Sequence, residues 1–287
     1  MEGAWRCGGY RLPIGGRPLV MGVLNVTPDS FSDGSCWLDP DRAVERALQM
    51  VAEGADIIDI GGESTRPGAP PVDEETEISR VLPVIRRLVP RLSIPLSIDT
   101  TKVAVAAAAL DAGVSIINDI SGCTFEPAML PLVARAGCGL VLMHTRGTPA
   151  TMQLDTRYDD LVGEVVTHLR DRAGHAVREG VSPETIVVDP GIGFGKDLAG
   201  NLELLRRIPE VTRLTGYPLL VGTSRKSFIG RVLGRGVDDR LFGTAATVAL
   251  AVQGGAAVVR VHDVRAMRDV ADMAAAVAGR WLPADAT

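Results

Sequence analysis

Four polar residues stand at the ends of short apolar runs and together suit one kind of ligand. Asp99, Asn118 and Asp189 each close or follow such a run, and Lys226 lies shortly after another. A carboxylate accepts two parallel hydrogen bonds from an amidine-like edge, and an ammonium donates to a ring carbonyl. Converging, the four would hold a planar heterocycle rich in N–H donors. Taken singly, Asp99 before Thr100-Thr101, or Asn118, reads equally well as a cap for backbone amides. Arg260 and His262 lie two apart in a further run, so in a strand they share a face. A cation there needs an anion partner. With Lys226 or Arg66 nearby, the pair suits a phosphate or diphosphate. A structural ion pair with Asp119 or Asp263 is the competing reading. Asn25 ends the first run. Its neutral oxygen suits Mg2+ that also holds a diphosphate, or it caps backbone.

Such residues need elements to bring them together. Eight flat, β-branched runs occupy residues 19–26, 57–60, 95–98, 115–118, 139–143, 186–188, 219–221 and 257–261. They do not alternate, as expected for strands buried on both faces of a parallel sheet. Helix-like segments separate them: 41–53, 73–89, 101–110, 127–135, 159–179, 201–214, 238–252 and 264–278. Several stop at glycine, among them Gly54, Gly113, Gly137 and Gly180. The alternation predicts a single-domain α/β fold, a (β/α)8 TIM barrel. An open doubly wound sheet is the alternative. Residues 1–18 are expected to form an extension or hairpin closing the barrel bottom, 19–282 the barrel and 283–287 a frayed tail. Polar residues follow all eight runs, which in a barrel places them at the C-terminal mouth. The loops 27–35 and 64–71 are rich in Gly, Pro and Ser and read as lids.

Composition narrows the function classes. Of 287 residues, 46% are hydrophobic and 23% charged, which supports a packed core and argues against disorder. The net charge is -5 and aromatics are 4%, so neither a basic excess nor stacking platforms favour nucleic acid. The uncharged stretch 241–259 contains Thr244, Thr247, Gln253 and Gly254-Gly255. A helix ending at glycine and a following strand account for it better than a membrane span. Cys7, Cys36, Cys123 and Cys138 form no CxxC pair and have no zinc spacing. Four free thiols in a reducing cytoplasm are expected. No apolar segment of a signal peptide follows Met1-Glu2-Gly3-Ala4-Trp5-Arg6.

The same positions carry a family resemblance over roughly residues 10–280. Met21-Gly22-Val23-Leu24-Asn25-Val26-Thr27-Pro28-Asp29-Ser30-Phe31-Ser32-Asp33-Gly34 resembles the first signature of the dihydropteroate synthases of folate biosynthesis. Asp59-Ile60-Gly61-Gly62-Glu63-Ser64-Thr65-Arg66-Pro67-Gly68 resembles the second. Asp189-Pro190-Gly191-Ile192-Gly193-Phe194-Gly195-Lys196, Ser224-Arg225-Lys226 and Arg260-Val261-His262 match later motifs in order. Several long motifs in register are far more specific than a lone glycine fingerprint.

The resemblance implies a transferase that condenses p-aminobenzoate with 6-hydroxymethyl-7,8-dihydropterin diphosphate by an SN1-like route. It implies that Asp99, Asn118, Asp189 and Lys226 hold the pterin, with Ile120 and Met143 packed on its faces. Asn25, through Mg2+, and Arg260 with His262 would hold the diphosphate. Thr65, Arg66 and Pro67, with Phe31 and Asp33, would close over the reacting centre. Phe194, Lys226 and Ser227 would shape the p-aminobenzoate pocket. The catalytic set is then Asp33, Thr65, Arg66, Asp99 and Lys226. A homodimer is also implied. Two departures stand out. Gly34 is followed by Ser35-Cys36 where many relatives have a second glycine. The stretch from Asp189 to Asn201 lacks a phenylalanine–glycine insertion, so competition by sulfonamides is expected. The rivals are a pterin-dependent methyltransferase and a catalytically silent pterin binder. The first has no need of two closing loops and a diphosphate cluster. The second would be expected to lose Lys226, Arg66 or the Asn25 loop.

Overall fold

A computed structural model describes residues 3–27, 39–66 and 68–284. Two short strands, β1 (Gly3–Cys7) and β2 (Tyr10–Ile14), pair antiparallel as a hairpin. Eight more follow: β3 (Leu19–Asn25), β4 (Ile57–Gly61), β5 (Leu96–Asp99), β6 (Ile116–Asp119), β7 (Gly139–Met143), β8 (Ile186–Asp189), β9 (Leu220–Val221) and β10 (Val258–Val261). All are parallel, in the order β8-β7-β6-β5-β4-β3-β10-β9. Val188 bridges Leu219 in parallel, and Val188 N donates to Pro218 O at 3.0 Å. That contact joins the first and last strands and closes the barrel, as the eight apolar runs predicted.

The helices are α1 (Pro40–Ala52), α2 (Glu74–Leu88), α3 (Val103–Asp111), α4 (Met129–Ala136), α5 (Leu161–Arg178), α6 (Leu198–Arg206), α7 (Ile208–Thr215), α8 (Ser227–Leu233), α9 (Leu241–Gln253) and α10 (Val264–Val277). Aspartates start several of them. Asp73 accepts from Thr76 N, Asp160 from Gly163 N and Asp197 from Gly200 N, each satisfying an orphan amide of the first turn. The single helix expected over 201–214 is two, because the chain breaks at Arg207 and Pro209 restarts it near its own N-terminus. The expectation for 238–252 missed α8, which is only seven residues long and ends at left-handed Gly234. Among the described residues no helix is long and apolar enough to cross a membrane. The stretch 241–259 is α9, then Gly254-Gly255, then β10.

The strands have two buried faces, and the face enclosed by the barrel changes character along its length. Met21, Ile57, Ile116, Val141, Val187, Leu220 and Val258 form one apolar cluster with Trp5 and Cys7 of the hairpin. The outward face packs against the helices in a larger cluster. Two or four residues further along the inward face stand Asn25, Asp59, Asn118, Asp189, Arg260 and His262. The apolar end is thus sealed by the hairpin and the polar end opens at the mouth. Register levels the mouth: Asn25 pairs with Gly61, Gly61 with Asp99, and Asp99 with Asn118. Cys7, Cys123 and Cys138 are free, buried thiols, and Cys36 lies outside the described residues.

Trp5 is the keystone of the sealed end. It is wholly buried, and its Nε1 donates to Thr185 O at 2.8 Å just before β8. Trp5→Ala should lower unfolding stability by roughly 3–5 kcal/mol, read as a lower urea midpoint. Wild-type stability in that variant would remove the hairpin from the core.

Candidate active site

The mouth is organised around one arginine. Arg260 Nε donates to Asp59 Oδ2 and Arg260 Nη2 to Asp99 Oδ2, each at 2.6 Å. Asp59 Oδ2 also accepts from Asn118 Nδ2 at 3.0 Å. Asp59 is wholly buried, and these donors offset the cost of placing a carboxylate there. Asp59 Oδ1 and Asp99 Oδ1 are buried and lack hydrogen-bond partners among the described residues. Burial pushes the Asp99 carboxyl above its usual range, against the pull of Arg260. The arginine's partners are therefore Asp59 and Asp99, not Asp119 or Asp263. Asp119 accepts from Ser121 N and Oγ (2.7 and 2.6 Å). Asp263 binds Arg225 through two bonds (2.6 and 3.1 Å).

A second cationic group faces Asp189. Burial lowers Lys226 to about 8, opposed by Asp189, and burial raises Asp189, opposed by Lys226. Asp189 Oδ1 accepts from Gly191 N at 2.7 Å. Lys226 Nζ donates to Ile192 O and sits 4.7 Å from the Phe194 ring centroid. Arg225, one residue earlier, has a left-handed φ of 59°. Its amide bonds Thr244 Oγ1 and its carbonyl accepts from Arg240, which hold that conformation.

Burial, then Arg260 and Arg225, lowers His262 to about 3, so it is neutral near pH 7. Its Nδ1 lies 3.0 Å from Ser224 Oγ. His262 is thus a hydrogen-bonding group and not the second positive charge that its pairing with Arg260 suggested. Arg66, by contrast, is exposed, and its guanidinium has no hydrogen bond or ion pair to a described residue.

These side chains surround a cavity of about 440 Å³. Of the residues expected at the site, Asn25, Thr65, Arg66, Asp99, Phe194, Lys226, Ser227, Arg260 and His262 line it. Asn118, Ile120, Met143 and Asp189 are buried and lie outside its lining. Phe31, Asp33 and Pro67 lie outside the described residues. Asn25 makes no side-chain hydrogen bond to a described residue, and its oxygen is available at the rim. One neutral oxygen fits Mg2+ whose remaining shell is water and phosphate. Among the described residues no group of three or more His, Cys, Asp or Glu could hold a metal by itself.

The profile of one family, the pterin binding enzymes, matches residues 21–262. The dihydropteroate synthase of Synechocystis is 50% identical over 264 residues, covering 92% of this chain and 91% of that protein. This chain belongs to the dihydropteroate synthase family. Two solved structures carry the likeness into three dimensions. The Yersinia pestis dihydropteroate synthase in a sulfonamide drug complex superposes with a TM-score of 0.91 at 41% identity, covering 97% of this chain and 100% of that one. The Xanthomonas albilineans dihydropteroate synthase with 4-aminobenzoic acid gives 0.90 at 43% identity, covering 99% and 100%.

Several groups that shape the mouth escaped the sequence reading. Asp59 was visible only as part of a motif, although an aspartate inside an apolar run already requires a buried cation partner. Lys102 Nζ binds Glu63 and, at 2.6 Å, the wholly buried Glu77. Glu63 Oε1 accepts from Val72 N at 3.1 Å. This cluster anchors both ends of the second loop. Met152 lines the cavity from the segment after β7, which carried no motif.

Outside the cavity lining is a buried pair of basic groups, His144 Nδ1 and Lys196 Nζ, 2.9 Å apart. Burial, then Lys196, drives His144 down to about 2, and burial takes Lys196 well below its ordinary value. His144 is therefore neutral when folded but titrates near 6.5 when unfolded. Its contribution is complete above about pH 6.5 and declines as pH falls, by about 1.4 kcal/mol per unit. His144→Gln should flatten the fall of stability between about pH 6 and pH 4 by roughly that slope. Denaturant titrations across that range check it; an unchanged slope would mean that His144 protonates in the folded state.

Proposed function

We propose that this chain condenses 6-hydroxymethyl-7,8-dihydropterin diphosphate with p-aminobenzoate, giving 7,8-dihydropteroate and pyrophosphate. The observation that carries the reading is the Arg260 bridge. One guanidinium is joined to Asp59 and Asp99 and opens on the cavity that Arg66 also lines. A heterocycle site and an anion site thereby share one wall. Membership of the dihydropteroate synthase family supports the same chemistry.

In this reading Asp99, Asn118, Asp189 and Lys226 hold the pterin, and Ile120 and Met143 pack on its faces. The unpartnered Asp99 Oδ1 is an acceptor for a ring N–H. Arg260 and Arg66 hold the diphosphate electrostatically, and His262 adds a neutral hydrogen bond. Asn25 would supply an oxygen to Mg2+, which would neutralise charge on the diphosphate. The carbon–oxygen bond to the diphosphate breaks first. The Asp99 carboxylate stabilises the pterin-centred cation that results. The amine of p-aminobenzoate then forms the new carbon–nitrogen bond and sheds a proton. Phe194, Lys226 and Ser227 shape the pocket for that amine. Thr65, Arg66 and Pro67, with Phe31 and Asp33, close over the reacting centre and exclude water. No side chain needs to form a covalent intermediate. Sulfonamides are arylamines and compete for the same pocket. The chain works in the cytoplasm, where its thiols stay reduced.

Pyrophosphate release should be accelerated by p-aminobenzoate and then match dihydropteroate formed; a methyltransferase or a silent pterin binder releases none. Arg260→Ala should weaken the diphosphate substrate far more than a pterin lacking phosphate. Equal losses for the two ligands remove Arg260 from the anion site. A sulfonamide should inhibit at concentrations comparable to the KM for p-aminobenzoate, and an inhibition constant far above it contradicts the shared pocket.

The partner proposed for the outer helices is a second copy of the chain. Phe242 and Leu250 of α9 are 83% and 54% exposed, and Met273 and Val277 of α10 are 66% and 75% exposed. Side chains of this kind on two packed helices form the sort of face that homodimers bury. The wild type should sediment as a dimer, and Phe242→Asp should shift it toward monomer. A monomeric wild type sinks this assignment.

A further inference from the structure

The turn that presents Phe194 has almost no backbone scaffold of its own. Gly191, Gly193 and Gly195 all adopt left-handed φ values, 68°, 88° and 62°. Glycine's wide conformational range gives such a turn few restraints of its own. Its one internal backbone bond runs from Phe194 N to Gly191 O at 3.0 Å. Yet five consecutive carbonyls, from Gly191 to Gly195, each accept from a side chain outside the turn. Lys196 Nζ donates to Gly191 O (3.0 Å) and Phe194 O (2.8 Å). Lys226 Nζ donates to Ile192 O. Gln153 Nε2 donates to Gly193 O at 3.3 Å. Tyr158 Oη donates to Gly195 O at 2.8 Å.

Tyr158 is itself braced. The Arg146 guanidinium lies 3.8 Å from its ring centroid, and Arg146 Nη2 binds Glu164 at 2.6 Å. Burial raises the phenol to about 12, so it remains a donor across the working range of pH. Tyr158 and Gln153 belong to the same segment as Met152, which lines the cavity. The segment also reaches the second loop, where Gly68 N donates to Pro149 O at 3.2 Å. It therefore touches the Phe194 turn on one side and the closing loop on the other.

We propose that Tyr158 and Lys196 are positioning residues for the aromatic second substrate, acting by fixing the turn that carries Phe194. The inference rests on the condensation reading above. Neither residue lines the cavity. Their effect passes through the Phe194 ring, which lines the cavity and which the reading above assigns to the p-aminobenzoate pocket. Displacement of a positioning group by about 1 Å is enough to cost reactivity. On the pterin side, Asp189 and Lys226 touch the start of the turn at Gly191 N and Ile192 O, whereas Tyr158 holds its far end at Gly195 O, so loss of the Tyr158 hydroxyl should disturb the pterin groups less than Phe194.

The test is Tyr158→Phe, which removes one hydroxyl and leaves the ring beneath Arg146. The KM for p-aminobenzoate and the inhibition constant of a sulfonamide should both rise, by roughly five- to tenfold for one lost bond and a stranded carbonyl. The KM for the pterin diphosphate should stay within about twofold. Lys196→Met should shift the same two constants in the same direction. If Lys196→Met fails to fold, Tyr158→Phe alone decides. An unchanged KM for p-aminobenzoate overturns the proposal, as does an equal rise in both KM values. If the unaltered chain releases no pyrophosphate with p-aminobenzoate, the functional reading itself has failed, and this inference falls with it.

Discussion

The mouth of this barrel depends on matching one guanidinium to two buried carboxyl groups in a place with little water. Arg260 bridges Asp59 and Asp99, and Asp59 also takes the amide of Asn118. Removing any one member strands the others, which is why buried ion clusters are sensitive to truncation. The cluster contributes geometry more than stability. It ties β4, β5, β6 and β10 together, and these strands carry groups assigned to the pterin and to the diphosphate. An acceptor remains open on Asp99, so the cluster is incomplete as a hydrogen-bond network and is ready for a donor.

That arrangement requires a barrel whose enclosed face is apolar at one end and polar at the other. Alternation along each strand supplies it. Met21 precedes Asn25 on the same face, Ile57 precedes Asp59, and Val258 precedes Arg260. Trp5 and the hairpin seal the apolar end and so stop water reaching the cluster from below. The stability of the sealed end and the electrostatics of the open end are two consequences of one register.

Much of this was legible in the residues. Buried strands announce themselves as β-branched runs, and the polar residues that follow them mark the mouth. Asp99, Lys226 and Arg260 stand out because charge beside an apolar run has few structural uses. What sequence could not supply was pairing. The ion partners of Arg260 lie 161 and 201 residues away, so Asp119 and Asp263, nearer in motif or chain, fitted equally well. Nor could spacing reveal α8, too short for a periodic pattern, or the break at Arg207, where Pro209 fits one helix start as well as a kink. Tyr158 and Met152 come from a segment without regular structure or motif, so only their placement, Met152 in the cavity lining and Tyr158 against the Phe194 turn, distinguishes them.

The charge count of the mouth also changes once pairing is known. Arg260, His262, Lys226 and Arg66 look in sequence like four cationic groups converging on an anion. In the folded chain Arg260 is already matched by two carboxylates, and His262 is neutral. Lys226 faces Asp189 and is weakened by burial. Of these four side chains only that of Arg66 pairs with no described residue, and it stands on the second loop and not on a strand. The floor is thus nearly balanced, and the uncompensated charge is carried by the loop. A diphosphate on that floor would draw Arg66 inward, and the same movement would shut out water. In the proposed reading, neutralising the leaving group and closing the site would be one event, because Arg66 belongs to the loop assigned to closure.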